Sequence, residues 1–294
     1  MKRSRMTLNT ILLGLSLLAA PFTQASSADV DTVISAADKG DAVSQAVLGA
    51  WYSKGEGVPQ DDKKALYWLT KAAAQGYVTA QYLTGVRYYN GQGVTKNLKQ
   101  AANWFLKAAE QGDASAQSIL ALMYYEGHGV TPNKKQAAHW FLKAAEQGDA
   151  SAQSMLGHMY FNGQGVTRNY NQAASWLVKA AEQGNAQAQL QIGLMYSAGK
   201  GLLQDTQQAF FWIEKAAKQG LPIAQANLGV SYAQGEGVPQ NHVQAYAWLS
   251  VAATTGLKLA TETRDLVARA MTPSQLEKGQ ELAANYFEQY PPKQ

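Results

Sequence analysis

Side chains that could perform acid–base or metal chemistry are few in this sequence and lie far apart. The 294 residues include no cysteine, which excludes disulfides, thiolate zinc sites, a cysteine nucleophile and a lipid-modified N-terminal cysteine. No two of the four histidines lie three or four residues apart, as ligands on one helix would. We therefore predict no metal site and no cofactor. The histidines are His128, His139, His158 and His242.

One short string resembles a catalytic motif. The string Ser197-Ala198-Gly199-Lys200 matches the Ser-x-x-Lys of penicillin-binding proteins and serine β-lactamases. That chemistry needs the serine and the lysine on one turn at the start of a buried helix. Here the string passes from the end of a predicted helix into a glycine turn, and the partner motifs are missing. We expect no catalytic residue and no enzyme activity.

The dominant feature of the chain is a period of 36 residues, which six units keep without an insertion or deletion. A period in this range indicates a stacked array of repeats rather than a domain with a single core. Glycine pairs recur at 55/57, 91/93, 127/129, 163/165, 199/201 and 235/237. The tryptophans that mark the period are Trp68, Trp104, Trp140, Trp176, Trp212 and Trp248.

Each unit is predicted to contain two helices. The first begins at an Asp or Asn N-cap such as Asp113, carries small and apolar residues at helical spacing, and ends at the Gly-x-Gly turn. Five units have a glycine within this helix, where the third unit has Ala121. Because a mid-helix glycine costs about 0.5–1 kcal/mol relative to alanine, it indicates a close approach of two helices. A phosphate-binding loop is the other interpretation of the Gly-x-Gly, but no strand precedes it.

The second helix begins at another Asp or Asn, such as Asn133, and an alanine follows at the same offset in all six units. The tryptophan lies three residues further on, and we expect it to fill the gap between the packed helices. A lysine such as Lys143 stands in the last turn, where a cation favours the helix dipole. A glycine such as Gly148 then ends the helix.

The repeated pattern resembles the Sel-one-like repeat family, which is related to the tetratricopeptide proteins. The pattern reads Ala-x-Ala-Gln-x-x-Leu-Gly-x-x-Tyr-x-x-Gly-x-Gly-Val, then Asp/Asn-x-x-x-Ala-x-x-Trp-Phe-x-Lys-Ala-Ala-x-Gln-Gly. The resemblance implies an all-α, right-handed superhelical solenoid of about six and a half repeats. We divide the chain into an N-terminal capping helix at 29–40, repeats at 41–76, 77–112, 113–148, 149–184, 185–220 and 221–256, and a degenerate C-terminal repeat or cap at 257–290.

Residues 1–25 differ from the repeats and have the form of a signal peptide. A basic start precedes an apolar run, and small residues follow. A membrane anchor is the alternative, but the run is shorter than the roughly 20 apolar residues of a spanning helix. The leader holds three of the 25 basic residues and no acidic one, which leaves 22 basic residues against 21 acidic ones. We therefore expect an exported protein, periplasmic or secreted, with no membrane span after cleavage and no nucleic-acid partner.

Positions that vary between repeats are the candidates for function, because the common positions are needed for stacking. On the first helix, three variable offsets give a stripe rich in aromatic and aliphatic residues, which are typical of protein and peptide sites. The alternative is that this stripe only packs one first helix on the next. The candidate residues are Tyr82, Val86, Tyr89, Leu122, Tyr125, His158, Phe161 and Leu194.

We therefore predict a non-enzymatic, monomeric scaffold that binds a protein or peptide on a concave helical face. The resemblance implies roles in envelope complex assembly, in regulation or in contact with host proteins. The alternative is a protein that binds peptidoglycan fragments or β-lactams and has at most weak hydrolase activity. Some secreted, cysteine-rich members of the family are described as penicillin-binding. This chain lacks their cysteines.

Overall fold

The computed structural model describes residues 27–293, and this part of the chain is all-α, as predicted. The predicted signal peptide, residues 1–25, lies outside the described residues. The helices follow one another in pairs joined by short turns. Their bounds are α1 Ser27–Asp38, α2 Ala42–Lys54, α3 Asp62–Ala74, α4 Val78–Asn90, α5 Leu98–Glu110, α6 Ala114–Glu126, α7 Lys134–Glu146, α8 Ala150–Asn162, α9 Tyr170–Glu182, α10 Ala186–Ala198, α11 Thr206–Lys218, α12 Pro222–Gln234, α13 His242–Ala253, α14 Lys258–Arg269 and α15 Pro273–Gln289.

The helices form two compact units, with α1–α7 in unit 1 and α8–α15 in unit 2. In both units the first helix of a repeat packs against the second helix of the same repeat, as α4 does on α5 and α10 does on α11. Within a unit it also packs against the second helix of the preceding repeat, as α4 does on α3 and α12 does on α11. This is the solenoid-like arrangement of repeats that the period predicts. The right-handed superhelix stays a prediction.

Helix ends are fixed by side chains at the predicted offsets. The Asp113 carboxylate accepts a hydrogen bond from the Ala116 backbone N–H at 2.7 Å, and Asn133 caps α7 in the same way. Gly127 ends α6 in the left-handed region at φ 83°, which favours glycine. The second glycine of the turn has an additional role. A Cβ on Gly129 would collide with the carbonyl of Leu98, at the start of the preceding repeat's second helix.

The mid-helix glycines make room for the residue that follows each tryptophan. A Cβ on Gly157 would stand 2.6 Å from Cγ of Leu177, and one on Gly85 would stand 2.8 Å from the Phe105 ring. Phe105 and Leu177 are among the largest fully buried side chains of the chain. In the five repeats that have this glycine, a large side chain therefore lies in a groove that the absent glycine side chain leaves open.

Within a unit, a pair of glutamines joins a repeat to the helix pair before it. The buried Gln117 side chain donates to the Ala109 carbonyl at 3.0 Å. Gln147, at the end of the second helix, donates to Gln117 Oε1 at 2.8 Å and to the Gly112 carbonyl at 3.0 Å. The Gln117 side-chain amide, which lies between two helices, therefore both donates and accepts a hydrogen bond. The glutamine-to-glutamine bond recurs in five pairs, which are Gln45/Gln75, Gln81/Gln111, Gln117/Gln147, Gln153/Gln183 and Gln189/Gln219.

The two last helices depart from the repeat. Helix α14 buries Ala260 and Val267 as a first helix does, but Arg264 and Asp265 stand where the inner repeats carry an apolar or small pair such as Leu228-Gly229. Their side chains pair with each other at 2.7 Å. Helix α15, which begins with a capping box formed by Thr272 and Gln275, does not complete a seventh repeat. It packs along α13 instead of α14.

Candidate binding surface

The variable first-helix positions lie at different depths. The side chains of Tyr82, Val86, Tyr89, Tyr125 and Phe161 are partly buried, whereas His158 and Leu194 are exposed. Leu122 is buried, so it lies beneath the surface rather than on it. Unit 1 carries Tyr82, Val86, Tyr89, Leu122 and Tyr125, and unit 2 carries His158, Phe161 and Leu194.

In unit 1, Tyr82 contributes to packing more than to an open surface. Its ring centroid lies 6.0 Å from that of Phe105, in a tilted arrangement. Burial, with a smaller effect from the Asp113 carboxylate, raises the pKa of Tyr82 to about 12. The phenol is therefore neutral at any physiological pH.

The two other tyrosines of unit 1 are accompanied by lysines. The Lys96 ammonium lies 5.2 Å from the centroid of the Tyr89 ring. Lys134 lies 2.9 Å from the centroid of the Tyr125 ring and donates to the Tyr125 carbonyl at 2.6 Å. Burial, followed by the charge of Glu126, raises the pKa of Tyr89. These cation–π pairs form an amphipathic edge that can meet both aromatic and acidic groups of a partner.

In unit 2, the predicted residues are held by polar and aromatic neighbours. Asn162 contacts the ring nitrogens of His158 and donates to its carbonyl at 3.0 Å. The Phe161 ring lies 5.1 Å from Tyr170, and the Lys200 ammonium lies 5.8 Å from the centroid of the Phe161 ring. The Lys200 ammonium is therefore directed toward the Phe161 ring.

Unit 2 also exposes aliphatic residues that lie outside the predicted stripe. Ile223 on α12 is 48% exposed, and Leu259 and Leu266 on α14 are 64% and 63% exposed. Ile223 and Leu259 share one repeat position, and Leu266 lies two helical turns after Leu259 on the same face. Repeats two to five carry polar residues at the position of Ile223, so the departure was visible in the sequence. Those residues are Thr79, Ser115, Ser151 and Gln187.

The periodic tryptophans line the clefts between helices. Trp140, Trp212 and Trp248 are buried, and Trp68, Trp104 and Trp176 are partly buried. In the first five repeats the lysine of the last turn lies over the indole ring, for example Lys107 at 4.3 Å from the Trp104 centroid. This cation–π contact adds to the dipole effect that the sequence indicated.

Within residues 27–293 no group of His, Asp and Glu side chains is arranged to hold a metal ion. Over the same range, no helix is long and apolar enough to cross a membrane. Ser197 lies near the end of α10, where its carbonyl accepts a hydrogen bond from Gln204 at 2.9 Å. With Lys200 over the Phe161 ring, the Ser-x-x-Lys string does not have the form of a catalytic pair at the start of a helix.

The paired helices, the glycine-lined grooves and the interlocking glutamines define an α-helical repeat protein of the tetratricopeptide-like kind. A family model described as the Sel1 repeat matches residues 42–77, 78–113, 114–149, 150–185, 186–221 and 222–256. The chain belongs to the Sel1 repeat family, whose members are typically non-catalytic scaffolds. Repeat scaffolds of this kind generally bind proteins.

Two solved structures of this family are similar to the chain. A Sel1 repeat protein from Oxalobacter formigenes is 32% identical, with a TM-score of 0.65, over 77% of this chain and 90% of that one. A protective antigen of uropathogenic Escherichia coli strains, described as having an SLR fold, is 28% identical with a TM-score of 0.51. That match covers 95% of this chain and 84% of the antigen. No curated protein matches the sequence significantly.

Proposed function

We propose that the protein is an exported, non-enzymatic scaffold that binds a protein or peptide partner through exposed faces of its first helices. The observation that carries this proposal is a set of exposed aliphatic residues on the first helices of unit 2, which we call its aliphatic surface; they are Leu194, Ile223, Leu259 and Leu266. Between 36% and 64% of each residue is exposed, so a large part of each side chain is not used in stacking. They are therefore available to a partner.

The energetics of such a surface suit recognition. Complete burial of a leucine or isoleucine side chain contributes about 1.5–3 kcal/mol, so covering the exposed part of Leu266 contributes roughly 1–2 kcal/mol. The backbone of these residues is already fixed in α12 and α14. A partner therefore meets a preformed surface, and little ordering entropy is lost in the scaffold.

Export to the periplasm or beyond is part of the proposal. It is supported by the basic start and apolar run of residues 1–25. The similar Escherichia coli protein is a protective antigen, which supports a location outside the cytoplasm. Envelope assembly, regulation and contact with host proteins are roles of this kind.

Crosslinking in envelope extracts tests the proposal with variants of each unit. We expect Leu259→Ser with Leu266→Ser to lower partner capture at least about tenfold, since roughly 2–4 kcal/mol of burial is lost. Leu203→Ser is the matched control, because Leu203 is 90% exposed in a turn outside this surface. Capture that is equal in both variants would exclude the unit 2 surface.

The tyrosines of unit 1 are tested separately by Tyr89→Ala with Tyr125→Ala. If unit 1 contributes to the same partner, capture falls while circular dichroism shows unchanged helicity. β-Lactam hydrolysis through the Ser-x-x-Lys string is not favoured, since Lys200 lies over Phe161. Saturable turnover of a chromogenic cephalosporin that disappears in Ser197→Ala would restore that alternative.

A further inference from the structure

The outer face of α13 differs from the corresponding face of every earlier second helix. Val251 and Thr255 stand where the five preceding repeats have a lysine and a glutamine. Val251 is buried, whereas the lysines at that position are exposed. On the same helix, Trp248 and Gln244 are contacted by residues from the end of α15 and the segment after it. We call residues 286–293 the C-terminal strap.

Two tyrosines of the strap stack on the last periodic tryptophan. The Tyr286 and Tyr290 ring centroids lie 4.4 Å and 5.5 Å from that of Trp248, at interplanar angles of 30° and 28°. The Tyr286 hydroxyl donates to Gln244 Oε1 at 2.8 Å. Tyr290 directly follows α15, and its N–H donates to the Tyr286 carbonyl, so the two rings one turn apart reach the same side of Trp248.

The other bonds of the strap involve only its backbone. Gln225 Nε2 donates to the Tyr290 carbonyl at 2.8 Å, and the Lys293 N–H donates to the Gly220 carbonyl at 2.8 Å. In earlier repeats a glutamine side chain makes the second of these contacts, as Gln219 does to Gly184 at 2.8 Å. Any peptide whose backbone followed the same path could form the same two hydrogen bonds.

One polar atom beneath the strap is left without a partner. Gln225 is fully buried, and its Oε1 accepts no hydrogen bond, whereas its Nε2 is engaged by two carbonyls. In the five preceding repeats the equivalent oxygen accepts from the second glutamine of the pair. A buried carbonyl without a donor costs free energy, so the strap fits this site incompletely.

Much of α15 is also exposed. Gly279 is its only buried residue among those the structure describes, and Phe287, next to Tyr286, is 46% exposed. Local opening of an element with so little buried surface requires less free energy than opening of the core.

We propose that the face of α13 around Trp248 is a peptide-binding site and that the C-terminal strap occupies it as an intramolecular ligand. The partner is a peptide helix with two aromatic side chains one turn apart, followed by extended backbone. A partner that also brings an N–H donor to Gln225 Oε1 satisfies the site better than the strap does. This site is separate from the aliphatic surface of first helices proposed above.

Fluorescence anisotropy with a labelled peptide of residues 280–294 tests the site in the full chain. A tethered strap acts at an effective concentration of about 1 mM, so it weakens a peptide with an intrinsic Kd of about 100 μM roughly tenfold. We therefore expect the Tyr286→Ala, Tyr290→Ala double variant to bind this peptide about tenfold more tightly than the wild-type protein does. Phe287→Ala, on the exposed side of α15, is the matched control and should bind as the wild type does.

Two further variants locate the peptide. In the double variant, Trp248→Leu should abolish binding, and Gln244→Ala should weaken it roughly three- to tenfold through the loss of one hydrogen bond. The second substitution is on a partly buried residue and tests the site even if the first prevents folding. A peptide with alanine at both tyrosine positions should not bind.

Several results would overturn the proposal. Equal peptide affinity in the wild type and the double variant, or binding that survives both Trp248→Leu and Gln244→Ala, would mean that the peptide binds elsewhere. Amide exchange that stays slow over residues 286–293 in the double variant would show that the tyrosines do not hold the strap. Dimers of the wild-type protein that exchange this segment would assign the site to a second copy instead of a peptide partner.

Discussion

Replacing Gly157 by alanine tests whether the mid-helix glycines exist to admit a neighbouring side chain. The new Cβ would lie 2.6 Å from Leu177 Cγ and 3.2 Å from the Ala173 carbonyl, and ordinary contact begins near 3.4 Å. Because Leu177 is fully buried, α8 and α9 must separate or Leu177 must change rotamer. Such overpacking costs about 1–3 kcal/mol, and the gain in helix propensity returns about 0.5–1 kcal/mol. We expect a net loss of roughly 0.5–2 kcal/mol.

The second repeat provides the matched control. Gly85 faces the Phe105 ring, and the third repeat already carries Ala121 and Phe141 at these two positions. We therefore expect Gly85→Ala to change stability by less than about 0.5 kcal/mol, since an aromatic ring can rotate beside the added methyl group.

Urea denaturation followed by circular dichroism measures both variants, and amide exchange of α8 and α9 shows whether the loss is local. If Gly157→Ala is as stable as the wild type, the glycines do not serve close helix packing. Equal losses in both variants would mean that the Phe105 ring cannot move aside for the added methyl group. A loss confined to Gly85→Ala would contradict the geometry directly.

The remaining predictions concern two polar groups of unit 1. Arg87 is buried and contacts Asp62 Oδ1 at 2.9 Å and the Ser53 hydroxyl, yet three other repeats have methionine at its position. Arg87→Met should change the free energy of unfolding by less than about 1 kcal/mol, whereas Arg87→Ala should cost roughly 2–4 kcal/mol because it leaves a cavity. Equal losses in urea denaturation would mean that the ion pair matters more than the volume. Tyr82, with its pKa raised from 10.0 to about 12, favours folding fully below pH 10 and loses this contribution as pH rises toward 12. The wild type should therefore lose roughly 2–3 kcal/mol more than Tyr82→Phe between pH 10 and pH 12, and parallel pH profiles of the two proteins would contradict this assignment.

The sequence predicted the repeats well because their determinants are local. Asp113, Gly127 and Asn133 act on their own helix ends. The glycine and the second cap recur in all six units, whereas the first cap is Asp or Asn in four units and is replaced by Tyr77 and Leu221 in the others. The close approach at Gly157 was also predictable, because a mid-helix glycine destabilises its helix and is expected where a neighbouring side chain needs the space. The partner of that glycine was less predictable, because Trp176 and Leu177 are adjacent large apolar side chains and only the packing shows that Leu177 faces the glycine.

The candidate surface was less predictable because exposure depends on neighbouring helices. Leu122 and Leu194 share a repeat position, yet the first is buried and the second is exposed. The stacking of Tyr286 on Trp248 joins residues outside the repeat register, so no period could reveal it. Val251 and Thr255 were the available signal, since each breaks an otherwise regular column of residues.

The pairing of Arg264 with Asp265 on α14 has a consequence for how the array could lengthen. Arg264 and Asp265 occupy the positions against which the large apolar residue of a following second helix would pack. A repeat added after α14 would therefore bury two charged groups. A 36-residue repeat inserted between two inner repeats would contact matching glycine grooves and glutamine donors on both sides. Growth and shrinkage of such a protein during evolution should therefore proceed by duplication or deletion in its interior, while its closing helix is inherited unchanged.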